Sequence, residues 1–347
     1  MRTFITALLL SATTLQAAAQ EPVEGTIYFL PRTELRIALL IEKTTFTPGD
    51  FAIYADKYMK LPIKDEESTM YRIVDARMTT VGVPDTAKQY KLLVDRKHSI
   101  ANVSRDDDGV LMAINAVGKK APLPQPFKAA RHPMVLNPKD YMTQDMLQAG
   151  STAKMAELTA KEIYDIRDSR NQLSRGEADN LPKDGEQLKL MLANLDTQEK
   201  ALLQTFDGVT TKDTTEVILT YMPTEETAKQ VLFRFSKKLG LVDADDLGGD
   251  PYYIRIEDSK LIAPLEVNSE ANKKSKDDIG LNVSLPGKIK VKVFTLDKTW
   301  IDQDIYAAQF GRTESLSGNL FGKNFTSHLL LNPSTGLVER LETERVE

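Results

Sequence analysis

Glu34-Leu35-Arg36-Ile37-Ala38-Leu39-Leu40-Ile41-Glu42 is the stretch that decides the fold. Leu35, Ile37, Leu39 and Ile41 fall on one side of an extended chain. Glu34, Arg36, Ala38, Leu40 and Glu42 fall on the other. A period of two means a strand with one buried face. The same alternation returns near the other end of the chain, where Ile289, Val291 and Val293 interleave with Lys288, Lys290 and Lys292. Working outward from the first strand, Thr47-Pro48-Gly49-Asp50 reads as a turn ending in a good helix cap. Phe51, Tyr54, Ala55, Tyr58 and Met59 follow at helical spacing. They predict a short amphipathic helix sealing one side of a sheet. Residues 70–83 and 89–95 read as a strand pair around Pro84-Asp85. Residues 99–104 and 110–116 flank Asp106-Asp107-Asp108-Gly109, and Asp-Gly between apolar runs is a strong hairpin signal.

Five prolines crowd residues 118–140, namely Pro122, Pro124, Pro126, Pro133 and Pro138. Such density keeps a segment extended and out of a central sheet, so it reads as a connector strapped across the surface. Residues 151–207 are helical. Ala156, Ala160, Ile163, Ile166, Arg170 and Leu173 share one face of a first helix. Asp184 caps a second, with Gln187 placed for a capping box. Leu188, Met191, Leu192, Leu195, Leu202 and Phe206 form its stripe, and Asp207-Gly208 stops it. Residues 214–347 return to strands. They include 216–222, 231–236, 252–257 and 288–294, then a last pair, 327–331 and 337–341, around Asn332-Pro333-Ser334-Thr335-Gly336. Lys273-Lys274-Ser275-Lys276-Asp277-Asp278 reads as a solvated loop.

The expected class is therefore α+β, with two mainly antiparallel β-rich domains and an antiparallel helical hairpin between them. The expected boundaries are 20–117, 118–140 for the connector, 141–213 for the helical hairpin, and 214–347. A length of 347 residues fits roughly two domains at ~150 residues each.

Residues 1–19 speak of address. Met1-Arg2 is a short positive start, residues 4–15 carry no charge, and Ala17-Ala18-Ala19 offers a cleavage site. This predicts a signal peptide cut after Ala19, and an exported protein in the periplasm or outside the cell. The apolar run is shorter than the ~20 residues a bilayer demands, so the mature chain is expected to have no membrane span. The chain has no cysteine, which excludes disulfides, a thiol nucleophile and a lipid-anchored lipoprotein. At 41% hydrophobic and 27% charged, with a net charge of −5, it is ordinary globular material and a poor match for nucleic acid.

Three blocks carry a family resemblance. They are Leu30-Pro31-Arg32-Thr33 running into Ile41-Glu42-Lys43-Thr44; Gly176-Glu177-Ala178-Asp179-Asn180-Leu181-Pro182; and Leu232-Phe233-Arg234-Phe235-Ser236 followed by Gly240-Leu241-Val242-Asp243-Ala244-Asp245. Together they resemble an exported Bacteroidetes family catalogued as a domain of unknown function, number 4831. The resemblance implies a periplasmic or secreted protein and carries over no catalytic residue.

The candidate chemistry is sparse. Ser151-Thr152-Ala153-Lys154 fits the S-x-x-K pattern of serine enzymes, in which lysine activates serine. The companion motifs fail: Ser169-Arg170-Asn171 lies on the same helix, and Ser334-Thr335-Gly336 lacks the lysine. A helix cap is the plainer reading of Ser151. Asp243, Asp245, Asp246 and Asp250 around Gly248-Gly249 offer oxygen ligands for a cation such as calcium, but Leu247 and Ile254 break the EF-hand spacing. An acidic turn explains them as well, and a hairpin tip explains Asp106-Asp107-Asp108. His98, His132 and His328, the three histidines, are spaced unlike zinc ligands. No glycine-rich phosphate loop occurs, so no cofactor is expected. Tyr252, Tyr253 and Trp300 are candidates for a sugar-stacking platform, against the plainer reading as core aromatics. Asp85-Thr86-Ala87 and Asp213-Thr214-Thr215 match the O-glycosylation pattern of Bacteroidetes, and both are expected in loops. With so little motif chemistry, the expected function is a non-catalytic exported binding or envelope-assembly protein whose partner is an envelope protein or glycan. A secreted hydrolase with a carboxylate-based site is the alternative.

Overall fold

The computed structural model describes residues 25–94, 97–121, 125–128, 135–178, 184–263 and 278–345. The chain starts with β1 (Ile27–Thr47), α1 (Ala55–Met59), β2 (Ser68–Lys91), β3 (Val103–Arg105) and β4 (Leu111–Ile114). Four-residue α2 (Gln144–Leu147) precedes the long helices α3 (Thr152–Arg175) and α4 (Gly185–Asp207). The remainder is β5 (Val209–Tyr221), β6 (Thr227–Ser236), β7 (Gly240–Val242), β8 (Asp250–Asp258), β9 (Asp278–Phe294), β10 (Thr299–Ser317), β11 (Phe325–Leu331) and β12 (Val338–Arg345). These strands form three sheets, ordered β2-β1-β5, β10-β9-β8-β6-β7 and β12-β11-β4-β3, and every pairing within them is antiparallel.

The alternation that opens the sequence reading is real, and it continues past its own stretch. Leu35, Ile37, Leu39 and Ile41 of β1 are buried. They pack on Phe233, Ile254, Val291 and Ile301 of the five-stranded sheet. Toward the start of β1 the buried positions change phase, from odd numbers to Tyr28 and Leu30. The change falls where the register shifts between Phe29 and Pro31. A bulge reverses which face of a strand points inward. Pro31 stands there, at a point where the ladder is already broken. One strand thus feeds two cores. Tyr28 and Leu30 join a second core with Leu111 and Ile114 of β4, Ile279 and Leu281 of β9, and Leu329 of β11.

This sharing corrects the expected layout of two successive β domains. Segments 20–117 and 214–347 do not fold side by side: β1 pairs with β5, and β4 pairs with β11. A period-two pattern reveals which face of a strand is buried but not which partner buries it.

Two local readings also change. The expected pair of strands around Pro84-Asp85 is the single strand β2, with residues 85–88 looped out as a bulge opposite β1. The short helix after Asp50 does not cover a sheet. Phe51, Ala55 and Met59 pack against Ala156, Ile163, Leu202 and Phe206 in a purely helical third core. Asp50 does not cap it either; the caps are Phe51 and Tyr54, without side-chain bonds.

The helical hairpin forms as its pattern predicts. Ser151 Oγ accepts from the Lys154 N–H at the start of α3. At its end Gly176 takes a left-handed φ of 76°. There the Gly176 N–H donates to Leu173 O and the Glu177 N–H to Gln172 O, which is a Schellman cap. Asp184 caps α4, but through the N–H of Glu186 rather than Gln187. Residues 179–182 of the Gly176–Pro182 block between the two helices lie outside the described residues. Only the second half of α4 is buried, through Ala201, Leu202 and Phe206, while Met191 of the expected stripe is 38% exposed. Arg167 and Arg170 of α3 clasp Glu199 of α4 at 2.6 and 2.5 Å.

Candidate functional site

Ser151 is a cap, and the Lys154 ammonium lies 2.8 Å from Glu157. The S-x-x-K pair is thus spent on helix structure. Asp243, Asp245 and Asp246 lie exposed in the connection after β7, where Asp246 Oδ1 accepts the Gly248 N–H at 2.8 Å, and exposed Asp250 opens β8. Among the described residues no three His, Asp or Glu side chains converge as metal ligands. His98 bridges to Gly322 through backbone, and His328 Nδ1 lies 2.6 Å from Asn115 O. His132 and the 273–277 loop lie outside the described residues.

The three aromatic candidates are split. Tyr252 and Tyr253 are neighbours in a strand, so their rings leave opposite faces. Tyr252 stacks on Phe233 at 4.5 Å and tilts against Trp300 at 5.9 Å, on the first core. Tyr253 meets Phe294 on the other face, under the Lys229 ammonium. No three-ring platform forms. Thr86 is exposed in the β2 bulge, where Asp85 Oδ1 accepts the Ala87 N–H. Thr214 corrects its expectation, for it sits inside β5, opposite Glu42, and not in a loop.

The structure brings together a different set. A cleft of about 520 Å³ opens where the edge strands of two sheets approach each other. Thr79 and Thr80 of β2 form one wall, and Ile305 and Tyr306 of β10 the other. The 332–335 turn closes one end, with Glu339 of β12 beside it, and Lys119 and Lys120 stand at the rim of the connector.

The turn is fixed from all sides. Asn332 Oδ1 accepts the N–H groups of Ser334 and Thr335, and Asn332 Nδ2 donates to Glu339 at 2.8 Å. Ser334 Oγ donates to Thr80 O. Behind it, wholly buried Thr33 donates its hydroxyl to Ser334 O and accepts the Ala308 N–H. Gln309 then bonds Thr33 through both backbone groups. Residue 82 must be glycine here, since a Cβ on it would lie 2.0 Å from Pro333 O. The Thr335 hydroxyl joins the bonds that lock the turn, accepting the Leu337 N–H at 3.4 Å, and none of these bonds draws on the Thr79 hydroxyl.

A second cavity, of about 290 Å³, lies beside Asn115 and His328. Asn115 has a left-handed φ of 53°. Its side chain explains the strain: it accepts from Ala101 and Asn102 and donates to Ser99 O and Ser327 O.

Charge is mostly neutralised across strands. Lys288 pairs with Asp304, and Lys290 and Lys292 both reach Asp302, on the outer face of the five-stranded sheet. Glu42 accepts from Nε and Nη2 of Arg72 at 2.7 and 3.1 Å. That bond, with Lys212 nearby, keeps its carboxyl below the usual carboxylate range. Glu157 and Asp304 are lowered in the same way by their lysine partners.

Nothing in the sequence marks the cleft, because Thr33 and Ser334 meet across 301 positions. Only the turn residues 332–336 carry a local signal. No helix among the described residues is long and apolar enough to cross a membrane. No curated protein and no solved structure matches the chain. A family model does, over residues 24–339, and the chain accordingly belongs to the family described as a domain of unknown function (DUF4831).

Proposed function

We propose that this chain is a non-catalytic, exported Bacteroidetes binding or envelope-assembly protein, and that the cleft between β2 and β10 holds its partner. The cleft itself carries the reading. It is preorganised by the buried Thr33–Ser334–Gln309 bonds, yet lined by groups suited to binding. A carboxylate-based hydrolase needs two acids facing one another, and among the described residues Glu339 is the single carboxylate in this lining, already bonded to Asn332. The shifted carboxylates elsewhere are lowered by cations, opposite to the raised pKa of a general acid.

A pull-down from envelope fractions with the wild type and with Tyr306→Ala tests this. The expected outcome is a retained component that the variant loses. Turnover of an envelope polymer by the purified protein would establish the hydrolase instead.

Export rests on the signal pattern of residues 1–19, and intact-mass measurement of native protein should find Gln20 at the terminus. Thr86 is the better O-glycan acceptor, being exposed on a bulge. Glycopeptide mass spectrometry should find Thr86 modified and Thr214 bare.

A further inference from the structure

We infer that the cleft recognises an acidic saccharide, one whose ring carries a carboxylate, as uronic and sialic acids do. This rests on reading the cleft as the binding site and goes on to the chemistry of its occupant.

Charge is the first argument. The chain as a whole is acidic, at −5, but among the described residues two lysines and one carboxylate line the cleft. Lys119 has no carboxylate within ion-pair distance among the described residues. Lys120 reaches Asp107 only at 3.9 Å, with the two side chains 84% and 99% exposed. An exposed pair at that distance contributes little and is easily exchanged for a ligand anion. The Glu339 carboxylate is turned to the turn by Asn332.

The walls are the second argument. Tyr306 is half exposed, and with Pro333 it offers apolar surface for the C–H face of a pyranose, while its strand neighbour Ile305 turns to the first core. Thr79 supplies a hydroxyl for the ring's own. The volume falls within the about 300–1,000 Å³ common for small-ligand sites. An acidic peptide would share the charge but not the fit. A peptide added to the β2 edge would run into the 332–335 turn, which sits on that edge with Ser334 Oγ donating to the Thr80 carbonyl.

An array of oligosaccharides bearing uronic or sialic acids, each beside its carboxyl-reduced neutral parent, tests the inference. The best acidic hit is then titrated against four proteins: wild type, Tyr306→Ala, Lys119→Glu/Lys120→Glu, and Lys237→Glu/Lys238→Glu. The last pair makes the same charge change on an exposed loop outside the cleft. Near-UV circular dichroism confirms that each is folded. The expected result is loss of about tenfold or more in affinity for both cleft variants, close to wild-type affinity for the loop variant, and weaker binding of the neutral parent. Equal binding of neutral and acidic forms, with Tyr306→Ala still impaired, overturns the acidic class but leaves the cleft as a site. Equal loss in the cleft and loop double variants overturns both. Oligoglutamate binding as tightly as the sugar, or no acidic sugar retained above its parent, also overturns the inference.

Discussion

Pro333 sits with its carbonyl against Gly82, and this contact decides the shape of the cleft. A methyl group there meets backbone, which cannot rotate away. Gly82→Ala should therefore cost about 2 kcal/mol or more and loosen the 332–335 turn. Gly150 is the control, with nothing within 4 Å of an added Cβ, so Gly150→Ala should be neutral or slightly stabilising. Urea midpoints of the two variants check the contrast. Glu42 gives a second residue-scale test. Its folded pKa is depressed by Arg72, so its contribution to stability is present above the unfolded value of about 4.3 and is lost as pH falls through the folded value. The gap in urea midpoint between wild type and Glu42→Gln should be open at pH 7 and narrowed at pH 3; a gap that widens with acid would reverse the assignment. At this scale the sequence was legible where partners are local. Ser151 and Asp184 cap their helices, and Gly176 ends one, because each acts on N–H and C=O groups a few positions away. Tyr306, Thr79 and Lys119 were not legible, since their joint role depends on strands far apart in the chain.

Among the elements, α4 shows how burial can cover only half of an amphipathic stripe. Leu202 is fully buried beside Phe206 and α1, whereas Met191 of the same stripe is 38% exposed, and Leu190, off the stripe, is 63% exposed. Leu202→Asp should cost several kcal/mol, because it places a charge among Phe51, Ile163 and Phe206. Leu190→Asp should stay within about 0.5 kcal/mol. Equal melting temperatures would mean that the burial pattern is misassigned. The periodicity found the helix but not the extent of its cover, which depends on where α1 and the 138–141 turn lie. The β2 strand failed in a related way. Pro84-Asp85 carries every local mark of a turn, but long-range pairing with β1 on both sides absorbs it as a bulge.

For the whole molecule, the interleaving of early and late segments has a consequence for folding. β1 contributes to two cores, and both depend on late strands: β6, β8, β9 and β10 cover it in one, and β9 and β11 join early β4 in the other. Without them, the apolar faces of Leu35, Ile37 and Leu39, and of Tyr28 and Leu30, would meet water. Each fully buried aliphatic or aromatic side chain contributes roughly 1.5–3 kcal/mol that a fragment could not recover. The three-stranded sheet would also lose β5, and β4 would lose β11. A fragment of residues 20–117, which the sequence pattern outlines as a domain, should therefore be unfolded or aggregate when made alone. Its amide spectrum should show poor dispersion, and its far-ultraviolet signal should lack a cooperative melt. Adding residues 138–347 as a second chain should restore the dispersed spectrum, since the missing strands arrive with it. The helical module should behave differently, because its core draws on α1, α3 and α4 and on no strand. In the intact protein, hydrogen exchange should then protect β1 and β9 together, at the global stability, and open the exposed half of α4 more readily. A dispersed, cooperatively melting 20–117 fragment would mean that the early strands bury their faces against each other, contrary to the pairing of β1 with β5 and β4 with β11.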